Sequence, residues 1–370
     1  MGLGNLELSP AVDCHVHLRD GDLMKTVMPT IKSGGVDTVY VMPNLQPPIT
    51  TVEAALSYRD RLQPLAPDVK FLMTLYLHQS ITPDTIAEAA RAGIVGVKAY
   101  PAGVTTNSEG GVIGFQSFYP VFEAMQEHGM VLNLHGEVPN TAPSDLLKPG
   151  TEEAVSVLNA EPRFLPTLRK LHEDFPRLRI VLEHCTTSAA LDAVRACGPN
   201  VAGTITAHHL WITIDDVCGD SLNFCKPIAK TVVDRLALLK AVVEEGGKFF
   251  FGSDSAPHVL SAKTGVKKAA AGCFTQGQAT QLVVGAVEEG IANGWLPQDV
   301  GADVLNEFLS GRGRRFYQLK DPNAEGGKVQ KIVLEKKGEK IPDILRNQDG
   351  SVEVAPFRRG EEVWSLTWKA

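Results

Sequence analysis

Two histidines separated by a single residue are the first chemically suggestive feature of the chain. In Ala11 to Asp22, AVDCHVHLRDGD, the apolar Val12, Cys14 and Val16 alternate with Asp13, His15 and His17 before a polar turn. Side chains on a strand repeat with a period of two, so the pattern predicts a short strand presenting His15 and His17 on one face at its C-terminal end. Neighbouring imidazoles of this kind are candidate ligands for a divalent cation. The same spacing also suits two histidines that simply sit at the mouth of a barrel, so the rest of the chain has to decide.

Strands able to carry further donors recur along the sequence. Short runs rich in Val, Ile, Leu or Phe predict strands at Val12–Leu18, Val36–Met42, Lys70–Leu77, Val95–Tyr100, Met130–His135, Arg179–His184, Val201–Thr206 and Lys248–Ser253. Runs this apolar suit strands covered on both faces. Helices are predicted between them. Thr50 with Glu53 reads as a capping box before EAALSYRDRLQ. Thr82 with Pro83 opens a helix that Gly93 closes. Gly129 closes FYPVFEAMQEHG, Ser188 and Gly198 bracket AALDAVRAC, and DRLALLKAVVEEGG precedes the last strand.

Eight βα units predict an α/β protein built as a (β/α)8 TIM barrel. A doubly wound open sheet is the alternative, but no G-x-G-x-x-G follows the first strand. The barrel is expected over residues 1–320, with 321–370 as a C-terminal extension packed on its outside. That extension is richer in charge, contains KIVLE and SVEVAP, and ends in EVWSLTWKA, with Trp364 and Trp368 as anchors. The Gly- and Thr-rich stretch from Pro101 to Gly114 follows the fourth strand and is expected to act as a lid.

Composition narrows the partners. A chain of 370 residues, 44% hydrophobic and 21% charged, can bury one large α/β core or two smaller ones. A net charge of -7 argues against a nucleic-acid or anionic-membrane surface. A small anionic substrate is compatible if cations or arginines gather inside the site. The six cysteines, Cys14, Cys185, Cys197, Cys218, Cys225 and Cys273, form no C-x-x-C pair and suit free thiols in a reducing compartment. MGLGNLELSP has neither a basic nor an apolar leader region, and no run is long and apolar enough to span a bilayer. A cytoplasmic protein is expected.

In a barrel the reacting groups come from the C-terminal ends of the strands and the loops beyond them. Those positions hold His15, His17 and Arg19, then Asn44 in MPN, Lys98 in VKAYP, His135 in NLHGE, His184 in LEHCTT, and Asp254 in FGSDSAPH with His258 four residues on. Singly, each has an ordinary explanation, such as a hydrogen-bonded core histidine or a turn cap. Their shared placement favours a metal centre. Four histidines and one aspartate are enough for two divalent cations. Two close cations need a bridging anion, yet the fourth strand offers Lys98, whose ammonium would be repelled. A neutral lysine that adds carbon dioxide becomes an anionic carbamate and would supply the bridge. The alternative is a Lys98 that faces outward or pairs with a carboxylate elsewhere.

HVHLRDGD, YVMPN, VKAYPAGVTTNS, LHGE, EHCTT and GSDSAPH, in this order, resemble the dihydroorotases of the amidohydrolase superfamily, most closely their shorter bacterial and fungal type. The similarity runs from about Val12 to Ala271 and beyond. H-x-H alone marks only the superfamily; H-x-H-L-R-D-G-D with M-P-N and D-S-A-P-H is far more specific. The resemblance implies that His15, His17 and Asp254 bind one zinc and His135 and His184 another, bridged by N6-carboxylated Lys98. It implies that Arg19, Asn44 and His258 hold a substrate carboxylate, that Thr105 and Thr106 close over the substrate, and that Lys226 in FCKPI and Ala271 in AAAGC contact it. Two departures stand out. The stretch between His258 and Ala271 differs slightly in length from the bacterial pattern, and Lys226 replaces an apolar residue, a change that a main-chain contact would survive.

The implied reaction is the reversible, zinc-dependent cyclisation of N-carbamoyl-L-aspartate to L-dihydroorotate in pyrimidine biosynthesis. A metal-bridging hydroxide would be the nucleophile in the hydrolytic direction, and Asp254 the general base and then general acid. A homodimer is the family expectation. Two other readings stay open: a hydantoinase- or allantoinase-like cyclic amidohydrolase, against which Arg19 and Asn44 count, and a metal-free, non-catalytic homologue, which would be expected to have lost ligands. Cys185, beside His184, reads better as packing than as a nucleophile.

Overall fold

The computed structural model describes residues 3–140, 154–265, 268–319 and 330–369. A short strand, β1 (Leu6–Leu8), lies outside the barrel. The barrel strands follow as β2 (Ala11–Val16), β3 (Val36–Val41), β4 (Lys70–Tyr76), β5 (Gly96–Ala99), β6 (Val131–His135), β7 (Arg179–Glu183), β8 (Val201–Ile205) and β9 (Phe249–Phe251). They pair in parallel and in chain order. The circle closes where Asp254 N donates to His15 O at 2.8 Å and His17 N to Ser255 O at 2.9 Å. The (β/α)8 barrel is therefore borne out, and each strand falls on its predicted run with slightly different ends.

The lower interior is apolar. Val12, Cys14, Tyr40, Leu72, Val131, Val181, Ala202 and Phe250, contributed by seven of the strands, form one buried cluster with Tyr317. A second and larger cluster fills the space between the strands and the surrounding helices. Polar side chains thus concentrate at the upper end, where the strands terminate.

Two predicted helix starts shift. The helix Val52–Leu62 is capped by Thr51, whose Oγ1 accepts from Ala54 N at 3.2 Å, and not by Thr50. Thr51 has the extended backbone a cap needs, and this leaves Glu53 one position too early to complete a capping box. The helix Ser188–Ala196 likewise takes Thr187 as its cap. Thr82 does cap the helix Pro83–Arg91, with Thr85 completing the box.

The last part of the chain forms β10 (Lys331–Lys340), β11 (Leu345–Arg346), β12 (Glu353–Val354) and β13 (Glu362–Lys369). β10 lies between β1 and β13 in an antiparallel sheet, with Leu6 opposite Leu334. Trp364 is buried, and Trp368 Nε1 donates to Lys32 O at 2.8 Å. The expected boundary at 320/321 lies outside the described residues. The pairing of β1 with β10 was not anticipated, because three residues carry no periodic signal.

Candidate active site

β2 delivers His15 and His17 to a single oxygen. His15 Nε2 lies 3.3 Å and His17 Nε2 3.1 Å from Asp254 Oδ1. Asp13 fixes this juncture: it accepts from Ser253 N at 2.8 Å, from Ser253 Oγ at 2.5 Å and from His15 N at 3.1 Å. Burial raises the Asp13 carboxyl to about 6 even though these hydrogen bonds oppose it. Asp254 (φ 46°), His184 (φ 41°) and Arg19 (φ 62°) all adopt the left-handed conformation. Non-glycine residues are held there only where their surroundings over-determine the backbone, as at functional sites.

Two carboxylates set the imidazoles. Glu183 Oε2 lies 2.8 Å from His15 Nδ1 and accepts from Thr204 Oγ1 at 2.6 Å, while Glu183 Oε1 accepts from Asn133 Nδ2 at 2.6 Å. Burial pushes Glu183 up, but His15, Lys98 and Thr204 outweigh it, and the carboxyl ends below its ordinary value. With Nδ1–H donated to Glu183, His15 presents the Nε2 lone pair to Asp254. Two electron-rich atoms so placed need a proton or a cation between them. Glu137 Oε2 lies 2.8 Å from His135 Nε2 and leaves His135 its Nδ1 lone pair in the same way. Neither glutamate was anticipated. The available signals were an acidic residue inside the apolar run RIVLE and the Glu that follows His135 in LHGE.

The remaining donors close the ring. His135 and His184 have centroids 4.6 Å apart, and His184 lies 5.1 Å from His15. His184 Nδ1 and Lys98 Nζ are buried without hydrogen-bond partners among the described residues. Lys98 therefore does not face outward. Burial brings its amine down to about 8, despite Glu183 and Asp254. Burial also takes His17 to about 4 and His184 well below its ordinary value, so these rings are neutral. Burial alone would raise Asp254, but the His17 hydrogen bond and the nearby imidazoles hold its carboxyl well below the usual range. Neutral imidazoles, an ionised carboxylate and partnerless buried nitrogens make an unfavourable packing cluster but a fitting donor set for divalent cations.

Above the donors is a polar rim. Arg19 Nε donates to Pro257 O at 2.9 Å, and its Nη2 lies 3.1 Å from His258 Nε2, itself 2.9 Å from Ala271 O. Burial, with Arg19 next, takes His258 to about 3. Asn44 Nδ2 donates to Thr106 O at 3.1 Å, and Asn107 Nδ2 to Asn44 O at 2.9 Å, so the loop after β5 lies across the site. The fully buried Ser108 holds that loop's turn, accepting from Thr105 N at 2.9 Å and donating to Thr105 O at 2.7 Å. The cavity, whose ≈ 330 Å³ of empty space opens to solvent, is lined by the four histidines, Arg19, Asn44, Thr105, Thr106, Lys226, Asp254 and Ala271. Lys98 is buried among the donors, and His258 sits beside Arg19.

Tyr100 and Gly272 also line the cavity and were not anticipated. Gly272 has φ 150°, and a Cβ there would meet Ala256 O at 2.4 Å. Cys185 Sγ points to Leu182 O at 3.5 Å, and burial pushes its thiol well up. It is a packing residue.

Comparison with known proteins places the chain in a family. Residues 12–264 match the amidohydrolase family. The chain is 46% identical to a probable dihydroorotase of Schizosaccharomyces pombe over 99% of this chain and 100% of that one. A crystal structure of Saccharomyces cerevisiae dihydroorotase in complex with 5-fluoroorotic acid superposes with a TM-score of 0.90 at 43% identity, covering 99% of each chain. An L-hydantoinase of Arthrobacter aurescens superposes with a TM-score of 0.76 at 18% identity, covering 96% of this chain and 84% of that one, which shows a shared fold alone. The chain belongs to the amidohydrolase family and, within it, to the dihydroorotases.

Proposed function

We propose that the chain is a zinc-dependent dihydroorotase that interconverts N-carbamoyl-L-aspartate and L-dihydroorotate in pyrimidine biosynthesis. One observation carries the reading: a buried Lys98 amine, without a hydrogen-bond partner among the described residues, stands among four buried imidazoles and Asp254, below a rim that holds Arg19. His15, His17 and Asp254 would hold one zinc and His135 and His184 the other, with N6-carboxylated Lys98 between them. When bound, the two cations supply Lewis acidity, which makes water a competent nucleophile near neutral pH and polarises an amide carbonyl.

The chain's own residues do the rest. In the hydrolytic direction Asp254 takes a proton from the attacking water and returns it to the departing amide nitrogen; in synthesis it accepts the nitrogen's proton and protonates the leaving water. Glu183 and Glu137 keep His15 and His135 in the tautomers that present lone pairs. Arg19, steadied by Pro257 O, offers its fork to the substrate carboxylate with Asn44 and His258 alongside. Thr105 and Thr106 cover the substrate and exclude water, while Lys226 and Ala271 contact it from the opposite wall. The guanidinium favours this substrate over a neutral cyclic amide such as hydantoin. A homodimer in the cytoplasm completes the proposal; no helix among the described residues is long and apolar enough to cross a membrane.

The test combines zinc analysis, a structure or native mass of the purified protein, and assays with dihydroorotate, hydantoin and allantoin. Zinc, one carbon dioxide on Lys98 and preference for dihydroorotate are expected. Lys98→Ala should lose metal and turnover together. A variant with full zinc and normal rate would refute the bridge, and preference for hydantoin would refute the substrate.

A further inference from the structure

Behind the wall that carries Lys226 and Ala271 lies a second group of ligating side chains. His208 and His209, in the turn His208–Leu210 after β8, are 0% and 1% exposed, and Cys225 and Cys273 are 1% and 2% exposed. Donor atoms of His208, His209 and Cys225 lie within 4.8 Å of one another. His208 is the informative member. Both of its ring nitrogens are buried without a hydrogen-bond partner among the described residues. An imidazole with neither nitrogen satisfied is costly in a protein interior.

The neighbours supply what His208 lacks. Its ring centroid is 4.2 Å from that of His209. His209 Nδ1 bonds Thr206 Oγ1 at 2.9 Å, and its Nε2 lies 3.5 Å from Cys225 Sγ and 3.1 Å from Pro227 O. The Cys225 Sγ also reaches Pro227 O at 3.2 Å. Cys273 is near Cys225, but its Sγ turns to Leu222 O and Asn223 O, 3.9 and 3.7 Å away, and stays outside this group. Two imidazoles and one thiol thus meet in one dry place, apart from the donors around Lys98.

We infer that His208, His209 and Cys225 form a second cation site, structural in kind, for a borderline-soft divalent ion such as zinc. Mixed sulfur and imidazole donors select zinc among the common divalent ions, and all three ligands are buried and line no part of the substrate cavity. Filling the site displaces the thiol proton and the hydrogen bonds to Pro227 O, so loading depends on pH. The ion would join two segments: the turn after β8 and Phe224–Pro227. Lys226 rides on the second, so the ion would stiffen that part of the substrate cavity's wall without touching substrate.

The experiment compares metal content per chain in the full-length protein and in Cys225→Ser and His208→Phe variants, each loaded with zinc. The wild type is expected to hold one more ion per chain than either variant. Loaded with cobalt, the wild type should show a thiolate-to-cobalt charge-transfer band in the near ultraviolet, absent from Cys225→Ser. The donors around Lys98 are nitrogen and oxygen, so the band reports this site alone, whatever becomes of the catalytic reading. Equal metal content in all three proteins, or cobalt-loaded wild type without the band, overturns the inference. If the variants fail to fold, the wild-type spectrum decides.

Discussion

Asp254 carries two duties on one carboxylate. Its Oδ1 lies within 3.3 Å of two imidazole nitrogens, yet the proposed chemistry also asks it to move a proton. Asp254→Asn should therefore slow both directions of the reaction by about 10²–10⁴-fold, the range for a positioned acid–base group. Steady-state rates measured with zinc content separate the duties: near-native rates would remove the proton role, and a loss that tracks zinc alone would reduce Asp254 to a ligand. Much of this site was legible in the sequence, because His15, His17, His135, His184 and Asp254 stand where apolar strands end. Lys98 was legible as a misfit, a cation where an anion was needed. Glu183 was not legible: its partner His15 is 168 residues away, and only the closed barrel brings them together. Asp13 was hidden similarly, since its bonds to Ser253 cross the seam of the barrel.

The segments between the strands decide how firmly the cavity is shaped. The loop after β5 rests on Asn44 through Thr106 O and Asn107, and its turn is held by Ser108. Thr105→Ala combined with Thr106→Ala should impair turnover while leaving metal content intact; unchanged kinetics would make the loop a mere connector. On the opposite side, Lys263 Nζ donates to Phe224 O at 2.7 Å, Ala270 O at 3.1 Å and Gly272 O at 2.8 Å. This single ammonium ties together the two segments that present Lys226 and Ala271. Lys263→Met should raise KM for dihydroorotate several-fold with zinc unchanged and kcat affected less; an unaltered KM would show that the wall holds its shape without the tie. Nothing in the sequence singled out Lys263, because its partners are main-chain carbonyls and leave no trace in side-chain pattern. The shift of the helix cap from Thr50 to Thr51 has a similar origin: backbone conformation chose between adjacent threonines.

For the molecule as a whole, we propose that residues 321–370 brace the barrel and take no part in the chemistry. Their described strands pack outside it: Trp364 is buried in the outer core, and Trp368 is pinned to Lys32 O. Trp364→Ala should cost about 3 kcal/mol of stability, as truncation of a buried Trp does, with kcat for dihydroorotate unchanged. Chemical denaturation and steady-state assay check the two halves of that statement, and a large loss of kcat in a well-folded variant would give the extension a catalytic part. The barrel and its repeat were readable because eight strands repeat one apolar pattern. The β1–β10–β13 sheet was not, because β1 is short and its partner lies at the far end of the chain.

That distant pairing has a consequence for biogenesis. Leu6 stands opposite Leu334, so on a ribosome β1 must wait for the roughly 330 residues that separate it from its partner, a delay of roughly twenty seconds to a minute at ordinary elongation rates. Throughout that interval Leu6–Leu8 is an unpaired ribbon edge, the kind of segment that invites wrong partners. Its brevity, with polar Glu7 between the two leucines, keeps that edge a poor template until β10 arrives.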